Sequence, residues 1–164
     1  MIKFFGAVLI ILSFGIWGVS KSEKLKKRCD SLLLIISSLN LLENEIAFSE
    51  KDIASALLSV GNMENLPLFV TVSENLKNSS VSEAFSLALK NSDICLSKSD
   101  RELIFEFSKS LGSLGKELQI GSIHHTKELL TSARVSACEE YGKYGRLYRS
   151  MGILLGFLVA IILI

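Results

Sequence analysis

The segment Tyr141–Ile164 reads YGKYGRLYRSMGILLGFLVAIILI and carries no charge from Met151 onward. A helix this apolar points to lipid rather than water. Lys143, Arg146 and Arg149, with Tyr144 and Tyr148, stand just before the uncharged run. Cations and aromatics in that position are membrane-interface anchors. Inside the run, Gly152 and Gly156 are four apart and Ala160 is four further on. Small residues at that spacing let a second membrane helix approach closely.

The second helix lies at the opposite end of the chain. Residues 4–19, FFGAVLIILSFGIWGV, are also uncharged. As a helix they measure about 24 Å, somewhat under the roughly 30 Å of a bilayer core. Snorkelling by Lys3 and Lys21 covers the shortfall. A cleaved signal peptide is the competing reading. No clear small-x-small cleavage site is present, and Lys21, Lys24, Lys26, Lys27 and Arg28 follow at once, which favours a retained anchor. Gly6, Ser13, Gly15 and Gly18 supply small surfaces to receive the Gly152–Gly156 stripe.

Flanking charge sets the expected orientation. Five cations follow the first run against Lys3 before it; three precede the second and none follow it. Both biases put the middle of the chain in the cytoplasm and the two termini outside. The expected organisation is a transmembrane helix over 1–20, a cytoplasmic helical domain over 21–148 and a second transmembrane helix over 149–164. The last apolar run is short, about 21 Å as a helix. Local thinning of the membrane and a shallow terminal carboxylate are both open.

Between the anchors the chain is one domain's worth of sequence. It has one proline and few aromatic or β-branched runs, so strands are not expected. Residues 20–30 carry five cations against two anions, and 143–149 add three cations, whereas 31–142 sum to −6. The middle is therefore basic beside the apolar ends and acidic away from them. Cys29, Cys95 and Cys138 are far apart and odd in number. They show neither a metal-ligand spacing nor a disulfide framework, and read as small apolar residues in helices of a reduced protein.

Apolar residues at steps of three and four mark six helices. Leu25, Cys29, Leu32, Ile36, Leu39, Leu42 and Ile46 form the first stripe, and nothing breaks the helix between it and the N-terminal anchor. Ser49-Glu50-Lys51-Asp52 can cap a second helix, with Ile53, Leu57 and Val60 inward and Gly61 as its stop. Pro67 suits the first turn of a third, over 67–77, burying Phe69, Val72 and Leu76. Ser80-Val81-Ser82-Glu83 is a capping box for a fourth, which buries Val81, Ala84, Phe85, Ala88 and Leu89. Ser99-Asp100-Arg101-Glu102 opens a fifth, with Leu103, Phe107 and Leu111 inward and Gly112 near its end. A sixth begins near Gln119, with a stripe of Ile123, Thr126, Leu130, Ala133, Ala137, Tyr141, Tyr144 and Tyr148 that runs into the final apolar segment. The expected fold is all-α: an antiparallel bundle whose first and last helices continue into the membrane.

No catalytic, cofactor or metal site is legible. Neither GxxxxGK[ST] nor GxGxxG occurs. His124 and His125 are adjacent, so on a helix they point about 100° apart and do not chelate as an i, i+4 pair does. Glu43 with Glu45, and Glu139 with Glu140, read as solvated faces; the first pair is also a candidate partner surface. Lys21–Arg28 lacks interleaved aromatics and abuts an apolar helix, which fits anionic lipid and argues against nucleic acid.

Several short stretches, in order, carry a resemblance. They are Gly6-Ala7 in the first anchor, the basic run ending at Arg28, LNLLENEI over 39–46, Glu83-Ala84-Phe85, Leu111-Gly112, and then Gln119 and Ile123. The close is Tyr148-Arg149-Ser150-Met151-Gly152 with Gly156. Together they resemble the stage III sporulation protein AB family, whose closing pattern is Lys/Arg-Ser-Leu-Gly and a second glycine; Met151 stands for the leucine. The resemblance implies a subunit of the mother cell–forespore channel, in the mother-cell membrane around the forespore. That family is similar to the inner-membrane platform proteins of type II secretion and type IV pilus machines. The implied partners are a cytoplasmic secretion-type ATPase, stage III sporulation protein AA, and the ring-forming channel components. Homo-oligomerisation is left open, no cofactor is implied and no catalytic residue is carried over. The rival reading is a membrane-anchored helical sensor or adaptor with a cytoplasmic domain.

Overall fold

The computed structural model describes residues 2–49, 52–113 and 115–163. It contains α1 (Ile2–Phe48), α2 (Ile53–Met63), α3 (Pro67–Asn75), α4 (Val81–Asn91), α5 (Lys98–Ser110) and α6 (Lys116–Leu163). No strand occurs among the described residues. The chain forms two compact units: Met1–Cys29 with Val135–Ile164, and Asp30–Arg134. The first is called here the arms and the second the bundle; α1 and α6 contribute to both.

The bundle is held by side-chain burial. Packing runs in sequence order, α2 on α3, α3 on α4 and α4 on α5. Leu32, Ile35, Leu39 and Leu42 of α1 are fully buried, as are Phe69, Phe85, Ile123 and Leu130. Phe85 meets Phe69 edge-on at 6.0 Å between ring centres and Phe107 at 6.2 Å, so one aromatic row joins α3, α4 and α5. Such offset pairs favour the geometry beyond the area they bury.

The helix ends show what local sequence controls. Ser80 and Glu83 form the expected capping box of α4. The α5 helix starts earlier than its expected Ser99–Glu102 opening: Ser97 is the N-cap and Asp100, almost wholly buried, completes the box. Arg101 then donates to the Leu89 carbonyl and, at 3.1 Å, to the Ile94 carbonyl, tying down the non-helical 92–97 segment. Asp52 takes the N-cap place of α2 without a side-chain bond; Glu50 and Lys51 of that expected cap lie outside the described residues.

Gly61 does not end α2, which continues to Met63. A β-carbon there would lie 2.9 Å from the Val70 nitrogen, so Gly61 admits α3 at close range, and Asn65 turns the chain with φ 51°. Gly112 reverses the chain after α5 at φ +83°, a conformation glycine adopts without steric cost. The α3 helix stops at Asn75 rather than at 77, and α6 begins at Lys116 rather than near Gln119. Ile35 and Ile104 fill core places expected of Ile36 and Leu103, which are only half-buried. Tyr144 is exposed; Gly145 takes its place on the buried stripe of α6.

The arms invert the bundle's pattern. Both α1 and α6 are long and apolar enough to cross a membrane, and only 28% and 22% of their most apolar windows are buried. Leu9, Ile16, Leu154, Ile161 and Ile162 are each at least 60% exposed. The core helix of a water-soluble fold would bury such a window.

Candidate functional site

The arms run antiparallel, and glycines let them touch. Gly18 lies against the Tyr148–Gly152 turn: an added β-carbon would sit 3.2 Å from Gly152 Cα. One on Gly152 would sit 2.6 Å from the Phe14 carbonyl oxygen, and one on Gly156 2.9 Å from Ile11 Cα. The two backbones are therefore in direct contact at these three positions, which any larger residue would force apart. Gly6 and Gly15 are not brought to this crossing, since a β-carbon on either meets nothing within 4 Å. Ser13 turns its hydroxyl to its own helix, donating to the Leu9 carbonyl at 2.8 Å.

A polar collar follows the crossing. Lys21 Nζ stands 5.9 Å from the centre of the Trp17 ring and Lys143 Nζ 5.4 Å from that of Tyr144. Arg28 reaches Glu140 at 3.3 Å, and Arg149 donates through Nε to the Gly145 carbonyl at 3.3 Å. Lys24 is exposed and Tyr148 half-buried.

Cys29 and Cys138, expected as reduced apolar fillers, are joined by a disulfide with their Cα atoms 5.3 Å apart. Cys95, expected in a helix, lies in the non-helical 92–97 segment. The bond joins residues 109 positions apart, a separation at which spacing carries no signal.

In the bundle the two candidate carboxylates part company. Glu43 accepts from Lys127 Nζ at 2.6 Å and lies 2.8 Å from His124 Nε2; Lys127 also donates to Asn40 Oδ1 at 2.7 Å. The Lys127 ammonium, bonded to Glu43, holds its carboxyl below the usual carboxylate range, with His124 adding to the effect and burial opposing it. Glu43 thus clamps α1 to α6. Glu45 instead lines a cleft of about 440 Å³ with Leu41, Asn44, Phe48, Ser49 and Met63. Lys127 was not legible as the partner of Glu43, because 84 residues separate the two. Phe48 carried a signal: it lies two residues past Ile46 and so off the apolar stripe.

No group of three or more His, Cys, Asp or Glu poised for a metal occurs among the described residues. The arrangement comprises a pair of apolar helices long enough to cross a membrane, a basic collar and an acidic helical body.

Comparison with known proteins agrees with this architecture. The family model for stage III sporulation protein AB matches residues 3–164. A solved structure of a stage III sporulation protein AB superposes with a TM-score of 0.64 at 22% sequence identity, covering 70% of this chain and 96% of that one. That likeness concerns the fold. No curated protein matches the chain by sequence.

Proposed function

The chain belongs to the stage III sporulation protein AB family, and from that premise we propose that it is a non-enzymatic membrane platform. The observation that supports this most is the outward-facing apolar surface of two antiparallel arms whose backbones touch at Gly18, Gly152 and Gly156. Two helices so joined give a firm root in a bilayer. The collar from Lys21 to Arg28 and from Lys143 to Arg149 sits against anionic headgroups on the cytoplasmic side. The bundle then offers its acidic surface to a cytoplasmic secretion-type ATPase and links it to ring components of the mother cell–forespore channel.

The test is a deletion strain. Forespore development is expected to stall after engulfment while vegetative growth is unchanged. The tagged full chain, extracted from sporulating cells, is expected to bring down the ATPase or a ring component; recovery of neither, with normal sporulation in the deletion, would remove the proposal.

One observation favours a second reading. Cytosols keep cysteines reduced, so the Cys29–Cys138 disulfide fits a bundle held outside the cytoplasm. An impermeant maleimide applied to intact cells separates the two. Labelling of Cys95 from outside would replace the first topology by the second; protection of Cys95, with Cys29 and Cys138 recovered as thiols after rapid acid quenching, would retain the first.

A further inference from the structure

We infer that Cys29 and Cys138 form a reversible oxidation site, closed by low-molecular-weight or protein disulfides of the cytoplasm and opened again by thiols. This rests on the first topology above, in which the bundle is cytoplasmic. A permanent disulfide has no place there, whereas a transient one serves redox sensing. The two Cα atoms are 5.3 Å apart, inside the roughly 4.4–6.8 Å that a disulfide spans. Both residues lie within long helices, α1 and α6, so the bond opens and closes without either helix having to refold.

Position makes the sulfurs reachable. Cys29 lies ten residues past Val19, the end of the first uncharged run, about 15 Å along the helix. Cys138 lies thirteen residues before Met151, about 20 Å from the second run. Both stand clear of the apolar runs. Ala137 takes the inward place on α6 at 1% exposed, whereas Cys29 and Cys138 are half-buried. The bond therefore lies at the margin of the contact between α1 and α6. Exposed disulfides belong to the labile, regulatory kind, whereas structural ones resist reduction by the thiol pool. Beside the bond stands the Arg28–Glu140 pair, 3.3 Å long and with the Glu140 side chain 50% exposed. An ion pair so exposed holds weakly, so oxidation is what makes the foot of the arms rigid.

The exchange runs in two steps. One cysteine thiolate attacks a sulfur of glutathione disulfide, forming a mixed disulfide and expelling one glutathione thiolate. The second cysteine thiolate attacks the protein sulfur of that mixed disulfide and expels the other glutathione. The pair loses two electrons and two protons, and one glutathione disulfide becomes two glutathione thiols. Two thiols run the sequence backwards.

The experiment uses the full chain purified in detergent. Reduction of the Cys29–Cys138 bond by glutathione is followed by maleimide mass shift on gels, for the native chain and for the chain unfolded in guanidinium. The native rate is expected within about tenfold of the unfolded one, because exposure governs access. Slower reduction than that makes the bond structural and overturns the proposal. With Cys29→Ser or Cys138→Ser, glutathione disulfide is expected to leave a stable glutathione adduct on the remaining cysteine of the pair, mapped by mass spectrometry. Absence of the adduct from both variants overturns the two-step exchange. Amide hydrogen exchange over 20–29 and 138–147 is expected to slow about fivefold when the wild-type chain is oxidised. Equal exchange would mean that the bond fixes nothing, and overturns the proposal too.

In sporulating cells, acid-quenched before, during and after a pulse of the thiol oxidant diamide, the pair should read as thiols, disulfide and thiols again. A bond already present before the pulse while Cys95 stays shielded from the impermeant maleimide, or a pair still reduced during it, sinks the site. Failure of the topology shows separately, as labelling of Cys95 from outside, and failure of the platform as normal sporulation in the deletion strain.

Discussion

The arms and the bundle are both helical, yet they are held together by opposite means. In the bundle large side chains fill the space between helices, with Phe69, Phe85 and Phe107 in one row. In the arms the contact exists because side chains are missing: Gly18, Gly152 and Gly156 let backbone meet backbone, while the large apolar residues point away. Water drives apolar groups inward in the first case. In lipid that drive is absent between helices, and close packing takes its place. One chain thus carries two packing rules, and that of the arms is compatible with a membrane.

Substitutions of opposite size break this contrast in opposite directions. Phe85→Ala empties the centre of the aromatic row and is expected to destabilise the bundle by about 3–5 kcal/mol, read as a fall in the melting temperature of the detergent-solubilised chain. Gly152→Leu does the reverse, adding bulk where Phe14 O would lie 2.6 Å from the new β-carbon. About 1–3 kcal/mol of overpacking is expected at the crossing. The Cys29–Cys138 bond reports it: oxidised protein, assayed by non-reducing gel, should form more slowly in this variant. An unchanged rate would mean that the arms do not need the glycine contact.

Glu43→Gln sharpens the picture at the clamp between α1 and α6, with an expected loss of about 1–2 kcal/mol near neutral pH. Because the folded carboxyl titrates below its unfolded value, its stabilisation is present above the ordinary glutamate pKa and is lost as pH falls through the folded one. The wild-type and variant melts should therefore converge in acid, and parallel curves down to low pH would show that the clamp contributes nothing through charge. Gly15→Ala is the smallest change. With nothing within 4 Å of the new methyl, the melt should hold steady or rise by a few tenths of a kcal/mol from helix propensity.

Legibility in the sequence follows the same division. Periodicity finds the bundle helices and most of their inward residues, because burial repeats with the helical turn. It places Ile36 where Ile35 is buried and Leu103 where Ile104 is buried, errors of one residue on stripes whose neighbours are equally apolar. Serine with an acidic residue three places on is a sound start signal, though Ser97 and Ser99 both precede carboxylates and only Ser97 takes the N-cap place. Small-residue spacing picks out Gly18, Gly152 and Gly156, but it cannot tell them from Gly6 and Gly15, since facing depends on the partner helix. Gly61 looks like a terminator and instead admits Val70, a tertiary demand that overrides the local rule. Contacts across 109 and 84 residues, Cys29 with Cys138 and Glu43 with Lys127, leave no trace in local pattern at all.

The disulfide also changes what kind of object the polypeptide is. With Cys29 joined to Cys138, everything from residue 30 to residue 137 belongs to a covalent circle bearing two linear tails. One protease cut anywhere within that circle opens it without releasing a fragment, so a nicked molecule keeps both tails on one covalent body until a reductant parts them.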